Sequence, residues 1–256
     1  MGSYEAPVIT IVIPSLNQGK YLEQTLSSIF QQNIPVEVFL MDGGSSDETL
    51  KVIEKWSSSL AGWRSYPDKG QAAAINEGIS LGSAPYVCWI NSDDWVLPKG
   101  LLRLWRDLEL RPNVAFAYGY SKNYNEDTKK FVPVWVEQFS EKRLALRCII
   151  SQPSTLIRRE AWNFVGGVNE DLIMVFDYDL WWRLYKEFGS PILVKKFISI
   201  NRVHFETKTN KNRVLHYREA MSIVKKHHGT LPLKWTLYKP YSVWYKFVKN
   251  FINVIR

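Results

Sequence analysis

Only two cysteines, Cys88 and Cys148, occur in 256 residues, too few for a disulfide framework. Cys88 falls within the apolar run at 85–90, where a thiol packs as a small hydrophobe, so a reducing compartment is expected. No window reaches about 18 uncharged apolar residues, the length that spans a bilayer. The opening MGSYEAP has no basic start leading into an apolar stretch, so a secretory leader is not expected there. Internal repeats and low-complexity linkers are also missing, which argues against separately folded domains. One further absence is lopsided: no Asp or Glu follows Glu219, while Lys225, Lys226, Lys234, Lys239, Lys246, Lys249 and Arg256 supply seven of the formal +8. A basic tail on a near-neutral body suits an anionic surface, and no pattern calls for nucleic acid.

What is present is alternation. With 46% hydrophobic residues the chain can bury a large core. VITIVI (8–13) reads as a β-branched strand, and Leu22, Leu26, Ile29 and Phe30 then recur at helical spacing. VEVFLM (36–41) is a second strand, after which Ser45 and Glu48 form a capping-box pattern opening a helix. A short strand near 64–66, a helix over 71–81 and the strand PYVCWI follow. Strands separated by helices of this length predict βαβ units and a mostly parallel sheet. Further on, FAYGY (116–120) reads as a strand, 122–130 as a loop or hairpin, and 178–188 as a helix. A long strand over 192–205 and a helix over 212–227 complete the pattern.

Ligands of open parallel sheets bind beyond the carboxyl ends of the strands. At those ends stand Pro14-Ser15, Asp42-Gly43-Gly44-Ser45, Asp68-Lys69-Gly70 and Asp93-Asp94. Three of the four carry carboxylates. Adjacent aspartates at a buried strand end suit a hard divalent cation, Mg²⁺ or Mn²⁺, with water and substrate phosphates completing its shell. The plain alternative is that an aspartate before Leu97-Pro98-Lys99 caps the helix over 101–108.

The segments IVIPSLNQGKYLEQTLSSIFQQ, MDGGSSDET, DKGQAAAINEGISLG and INSDDWVLPKG, in this order and spacing, resemble the family-two glycosyltransferases of the GT-A fold. SQPSTLIRREAWNFVGGVNEDL, VFDYDLWWRL and NRVHFETKT are similar to that family's acceptor-side segments and late His-containing strand. The likeness covers about 7–215. It implies a nucleotide-sugar donor of the UDP, GDP or dTDP type. Pro14 and Ser15 would then line the base, Asp42 accept from its edge, and Asp68 contact the nucleoside side. Asp93 would face the ribose or sugar, and Asp94 would hold the metal on the diphosphate, approached by His204. Ser92 stands where many relatives have a third acidic residue, which leaves the set one carboxylate short. Arg202 and Lys208 would either touch phosphate or remain solvated.

On the acceptor side the resemblance implies that Asp177 is the general base, with Asp179 the competing candidate and helix capping the plain alternative for both. Phe176 replaces the family's usual acidic neighbour, which would make the pocket more apolar and raise the base's pKa. Gln152, with Pro153 and Ser154, would lie under the acceptor. Trp181 and Trp182 would lie nearby, and Trp95 and Trp181 are candidates for stacking on sugar, although most of the eleven tryptophans belong in a core.

Drawn as a helix, the tail carries Tyr241, Trp244, Tyr245, Val248, Ile252 and Ile255 on one stripe and Lys246, Lys249, Asn253 and Arg256 opposite. That is the pattern of a helix lying in a membrane interface. The expected architecture is thus a GT-A, Rossmann-like α/β domain over 1–215, with a donor half (1–120), an acceptor half (121–215) and a basic amphipathic extension (216–256). The expected activity is inverting, metal-dependent glycosyl transfer to a glycan or lipid-linked acceptor, in surface polysaccharide or glycolipid synthesis. The expected location is cytoplasmic, peripheral at the inner face of the cell membrane. Two rivals stand beside it: a sugar-phosphate nucleotidyltransferase, for which PSLNQGKY is a poor phosphate loop, and a non-catalytic glycan- or membrane-binding subunit of the same fold.

Overall fold

The computed structural model describes residues 6–204 and 212–239. Strand β1 (Ile9–Ser15) is buried along its whole length, because both of its faces are covered. Ile9, Ile11 and Ile13 pack with Leu22, Leu26 and Ile29 of α1 (Gly19–Phe30) and with Leu101, Leu104 and Leu108 of α4 (Gly100–Glu109). Val12 points the other way, toward Ile75 and Ile79 of α3 (Gln71–Leu81). A strand buried on both faces reads as a continuous apolar run, which is why VITIVI does not alternate with polar residues. The sheet and α3 meet closely at Gly78, where an added Cβ would lie 2.6 Å from Val12 Cγ1.

β2 (Val36–Asp42), β3 (Gly62–Ser65) and β4 (Tyr86–Trp89) join β1 through parallel pairings, with α2 (Thr49–Trp56) between β2 and β3. The registers Ser15↔Asp42 and Asp42↔Ser65 bring three carboxyl ends level at one rim. Beyond β4 the sheet becomes mixed. β8 (Thr155–Arg158) enters antiparallel to both β4 and β6 (Phe116–Asn125), and β9 (Ile192–Val203) pairs parallel with β6. β5 (Trp95–Val96) closes the far edge against β9, and β7 (Phe131–Pro133) folds back on β6, so 122–130 is a hairpin. The strand order is β3-β2-β1-β4-β8-β6-β9-β5. Parallel pairing therefore holds throughout the first four strands, whereas the second half mixes parallel and antiparallel pairs.

α5 (Glu141–Leu146) and α6 (Arg159–Val165) lie in the second half of the chain. α7 (Phe176–Phe188) is sandwiched between the sheet and α8 (Arg213–His228). Tyr217, Ala220, Ile223 and Val224 bury α8 on the same core. A short α9 (Leu233–Lys239) is anchored by Trp235, whose indole N–H donates to the Ala145 carbonyl at 2.7 Å. The first part of the basic extension thus packs on the body. The apolar stripe from Tyr241 onward, and Lys208, lie outside the described residues.

Candidate active site

The rim is built from loops stitched to one another. Gly43 N–H donates to the Ser15 carbonyl (2.8 Å), Asn17 N–H to Ser45 Oγ (2.7 Å), and Ser46 N–H to Asn17 Oδ1 (2.9 Å). Asp47 holds two helix starts at once, accepting from Gly19 N–H (3.0 Å) and Thr49 N–H (3.0 Å). The expected capping box is not formed: α2 begins at Thr49 without a side-chain cap, and Ser45 turns back to Asp42 instead.

Asp42 is fully buried. Its carboxylate accepts from Gly44 N–H (3.1 Å), Ser45 N–H (2.8 Å), Ser45 Oγ (2.5 Å) and Ser65 Oγ (2.6 Å). Four donors match the lone-pair capacity of a carboxylate, so Asp42 is spent on shaping its loop, with Gly44 supplying the positive φ of +86° that the turn needs. Asp68 bonds Gly70 N–H (2.8 Å) and pairs with Arg64 (2.9 Å), which in turn pairs with Glu77 (2.7 Å). Pro14 is buried, and Ser15 Oγ is a buried hydroxyl without a partner at the end of β1.

The NSDD segment is held from two other elements. Thr25 Oγ1 of α1 donates to the carbonyls of Ser92 (2.9 Å) and Asp94 (2.7 Å), and Arg202 of β9 donates to the carbonyl of Asp93 (3.0 Å). The structure separates the two aspartates. Asp94 is 5% exposed and points inward, accepting from the Arg202 backbone N–H (2.9 Å) and Asn91 Nδ2 (3.1 Å). Burial, with the Asp93 charge beside it, pushes its carboxyl well above the usual carboxylate range. Asp93 instead presents Oδ2 to His204 Nε2 at 3.0 Å. The imidazole therefore joins Asp93, not Asp94 as expected from sequence. Nor does either aspartate cap α4, which starts after Lys99 in a left-handed conformation with no side-chain cap.

Asp93 and His204 bring one hard oxygen and one nitrogen to within 3.0 Å of each other, on side chains 19% and 6% exposed. Among the described residues no group of three or more His, Cys, Asp or Glu converges to hold a metal. A two-ligand set fits a cation shared with a diphosphate and does not fit a closed protein cage.

The two halves meet at Trp89, at the end of β4. Its carbonyl accepts from Gln152 Nε2 (2.7 Å), and its ring packs 6.2 Å from Phe176, next to Asp177. Gln152 Oε1 is left buried without a partner. Asp177 lies in the first turn of α7, partly exposed, with Oδ1 accepting Tyr178 N–H (2.8 Å). The Cys148 thiol is pushed well up, first by burial and then by the Asp177 charge.

Two expected site residues lie elsewhere. Asp179 is fully buried and faces away from the rim, clamped by Arg183 Nε (2.6 Å) and His227 Nε2 (2.8 Å). Trp181 is also fully buried, stacked between Trp89 (6.1 Å) and Phe116 (5.6 Å), so it supports the core and cannot meet a sugar. Trp182 is buried too, stacked on His227. Both tryptophans are inside because α7 is covered by the sheet on one side and by α8 on the other.

Sequence inspection missed the depth of Arg202. It is 8% exposed, on the same strand face as the buried Ile198, Ile200 and His204. The period-2 alternation of β9 carried that signal.

The family model described as "Glycosyl transferase family 2" matches residues 10–166. Among curated relatives, hyaluronan synthase of Pasteurella multocida is 28% identical over 231 residues, covering 87% of this chain and 22% of the synthase. Chondroitin synthase of Escherichia coli is 28% identical over 245 residues, covering 91% of this chain and 34% of the synthase. This chain thus spans only a fifth to a third of those relatives. Staphylococcus aureus TarS 1-349, solved in complex with UDP-GlcNAc, superimposes with TM-score 0.69 at 18% identity over 86% of this chain and 66% of that one. Mannosyltransferase PcManGT from Pyrobaculum calidifontis, in complex with GDP-Man and Mn²⁺, gives 0.67 at 17% over 93% and 68%. These two share the fold, and the matched residues include the rim from Ser15 to Asp94 and on through Gln152. The chain belongs to glycosyl transferase family 2.

Proposed function

We propose that this protein transfers a sugar from a nucleoside diphosphate donor to a hydroxyl of a glycan or lipid-linked acceptor, with inversion at the anomeric carbon. The observation that carries the reading is the meeting of Asp93 and His204 at 3.0 Å, brought from two strands to the carboxyl ends of the sheet. The relatives and neighbours support it by what their names state: polysaccharide synthases, and structures holding UDP-GlcNAc or GDP-Man.

In this reading the loops at Pro14–Ser15, Asp42–Ser45 and Asp68–Gly70 bed the nucleotide, with Asp42 shaping its loop from within. Asp93 and His204 would hold Mg²⁺ or Mn²⁺. Such an ion supplies Lewis-acid stabilisation of the charge that develops on the departing phosphate oxygen. Asp177, next to Phe176 that packs on Trp89, takes the acceptor's hydroxyl proton as that oxygen bonds to the anomeric carbon. The electron pair of the broken glycosyl–phosphate bond leaves with the nucleoside diphosphate. General-base assistance of this kind contributes about 10²–10⁴-fold.

The basic, aromatic extension after Glu219 would place the enzyme at an anionic lipid surface, at the cytoplasmic leaflet, where a lipid-linked acceptor is reached. Among the described residues no helix is long and apolar enough to cross a membrane.

Screening UDP-, GDP- and dTDP-sugars with Mn²⁺ for thermal stabilisation identifies the donor, since ligand binding raises apparent stability by mass action. Asp177→Asn then separates the rivals. It should abolish transfer while keeping metal-dependent nucleotide binding. A non-catalytic subunit would show no transfer in the wild type, and a nucleotidyltransferase would release pyrophosphate from a nucleoside triphosphate.

A further inference from the structure

Arg202 occupies neither of the places its sequence position offers, a solvated surface or a phosphate contact. Its guanidinium is buried and forked across three elements. Nε donates to the Asp93 carbonyl (3.0 Å), one terminal nitrogen donates to the Glu126 carboxylate (2.8 Å), and the other donates to Gln24 Oε1 of α1. Its main-chain N–H donates to Asp94 Oδ1 (2.9 Å). Three aromatic rings surround the cation, with Tyr21, Trp95 and Tyr124 centred 4.5, 4.8 and 5.6 Å away. Two residues on, along the same face of β9, His204 meets Asp93.

One side chain thus fixes the peptide that carries Asp93, the helix α1 that also holds Ser92 and Asp94 through Thr25, and the strand that carries His204. A planar fork can hold three acceptors at fixed angles while its faces lie on aromatic rings, which a lysine ammonium does not do. Burial among rings and partners also restricts its rotamer, so the position it gives Asp93 is narrow.

We infer that Arg202 is the positioning residue for the Asp93–His204 pair, setting the affinity of that pair for a divalent cation. The inference rests on the reading that the pair holds the cation. Removing an outer-shell partner of a metal site costs about 10–100-fold in metal affinity, and that is the size of effect expected from Arg202→Lys.

The test is binding of Mn²⁺, followed by electron paramagnetic resonance, to the full chain with Mn²⁺ alone and with Mn²⁺ plus UDP or GDP. Wild type is compared with Arg202→Lys, Asp93→Asn and Arg158→Lys. Arg158 is another forked arginine, bonding the carbonyls of Val114 (3.0 Å) and Leu108 (2.7 Å) away from the rim. Melting temperatures are recorded for each. The expected result is weaker Mn²⁺ binding by about tenfold or more in Arg202→Lys and Asp93→Asn, with Arg158→Lys binding as wild type whatever its melting temperature. If Asp93→Asn binds weakly while Arg202→Lys stays within about twofold of wild type, well short of an outer-shell effect, the role of Arg202 is overturned and the pair stands. If Arg202→Lys and Arg158→Lys weaken binding equally, Arg202 serves general stability and the inference is overturned. If wild type binds no Mn²⁺ in any mixture, or Asp93→Asn binds as wild type does, the pair itself is overturned and the inference with it.

Discussion

His204 Nε2 lies 3.0 Å from Asp93 Oδ2, although 111 positions separate the two residues in the chain. β4 delivers the carboxylate and β9 the imidazole, and the two strands are not neighbours in the sheet, with β8 and β6 between them. The pair exists because the NSDD loop runs across the carboxyl ends to β5, which pairs with β9 at Trp95↔Ile200.

If the pair holds the cation as proposed, its mixed character would set a metal preference. Imidazole nitrogen is accepted more readily by Mn²⁺ than by Mg²⁺, whose ligands are oxygens. His204→Asp should lower the ratio of Mn²⁺-supported to Mg²⁺-supported transfer, measured as initial rates over titrations of each ion. An unchanged ratio would place His204 outside the coordination of the cation.

Asp94 should make the protein less stable as pH rises. Its folded-state pKa is raised, chiefly by burial and then by Asp93, so its contribution is intact at acid pH and is lost as pH climbs through the folded value. Asp94→Asn lacks that loss. Relative to wild type, its melting temperature without added metal should improve steadily from about pH 4, near the ordinary carboxylate value, toward neutrality. A pH-independent difference would refute the assignment.

Asp179 should behave in the opposite sense. Burial alone would raise its pKa, but hydrogen bonds from His227 and Arg183 outweigh that and hold the carboxyl below its ordinary value. A depressed folded pKa gives stability that is present above the unfolded value, about 3.9, and is lost as pH falls through the folded value. Asp179→Asn strands Arg183 and His227, and breaking one side of a buried pair costs about 3–5 kcal/mol. The deficit, read by denaturant unfolding at pH 7, should shrink as pH is lowered toward 3. Melting of α8 from α7 would accompany it.

Gly78 should resist any side chain. Its missing Cβ would sit 2.6 and 2.8 Å from the two Val12 methyls and 3.0 Å from Met41 Cγ. Overpacking of this kind costs about 1–3 kcal/mol, even though alanine favours the helix. Gly78→Ala should therefore lower the denaturation midpoint, whereas Gly78→Ala with Val12→Ala should recover part of it.

The comparison of Asp93 with Asp94 shows where a sequence stops being informative. Two neighbouring aspartates after an apolar strand were legible as a rim site. Which one turned outward was not, because that depends on the Arg202 N–H and Thr25 hydroxyl, which arrive from 108 and 69 positions away. Trp181 reads equally well as a sugar platform or a core residue until α7 is seen between the sheet and α8. Asp177 and Asp179 share one turn of α7, yet one is partly exposed and the other is locked to α8.

By itself the sequence determined the alternation of strands and helices in the first half of the chain, since β-branched apolar runs and helical spacing are local properties that each segment carries alone. It also determined that carboxylates would gather at one rim, because parallel strands all end on the same side. Only the tertiary structure decided the antiparallel entry of β8, the partner of His204, and the burial of Arg202 and Asp179. Those outcomes are set by which distant donors and rings surround a side chain, and burial makes such contacts decisive by removing water as the competing partner.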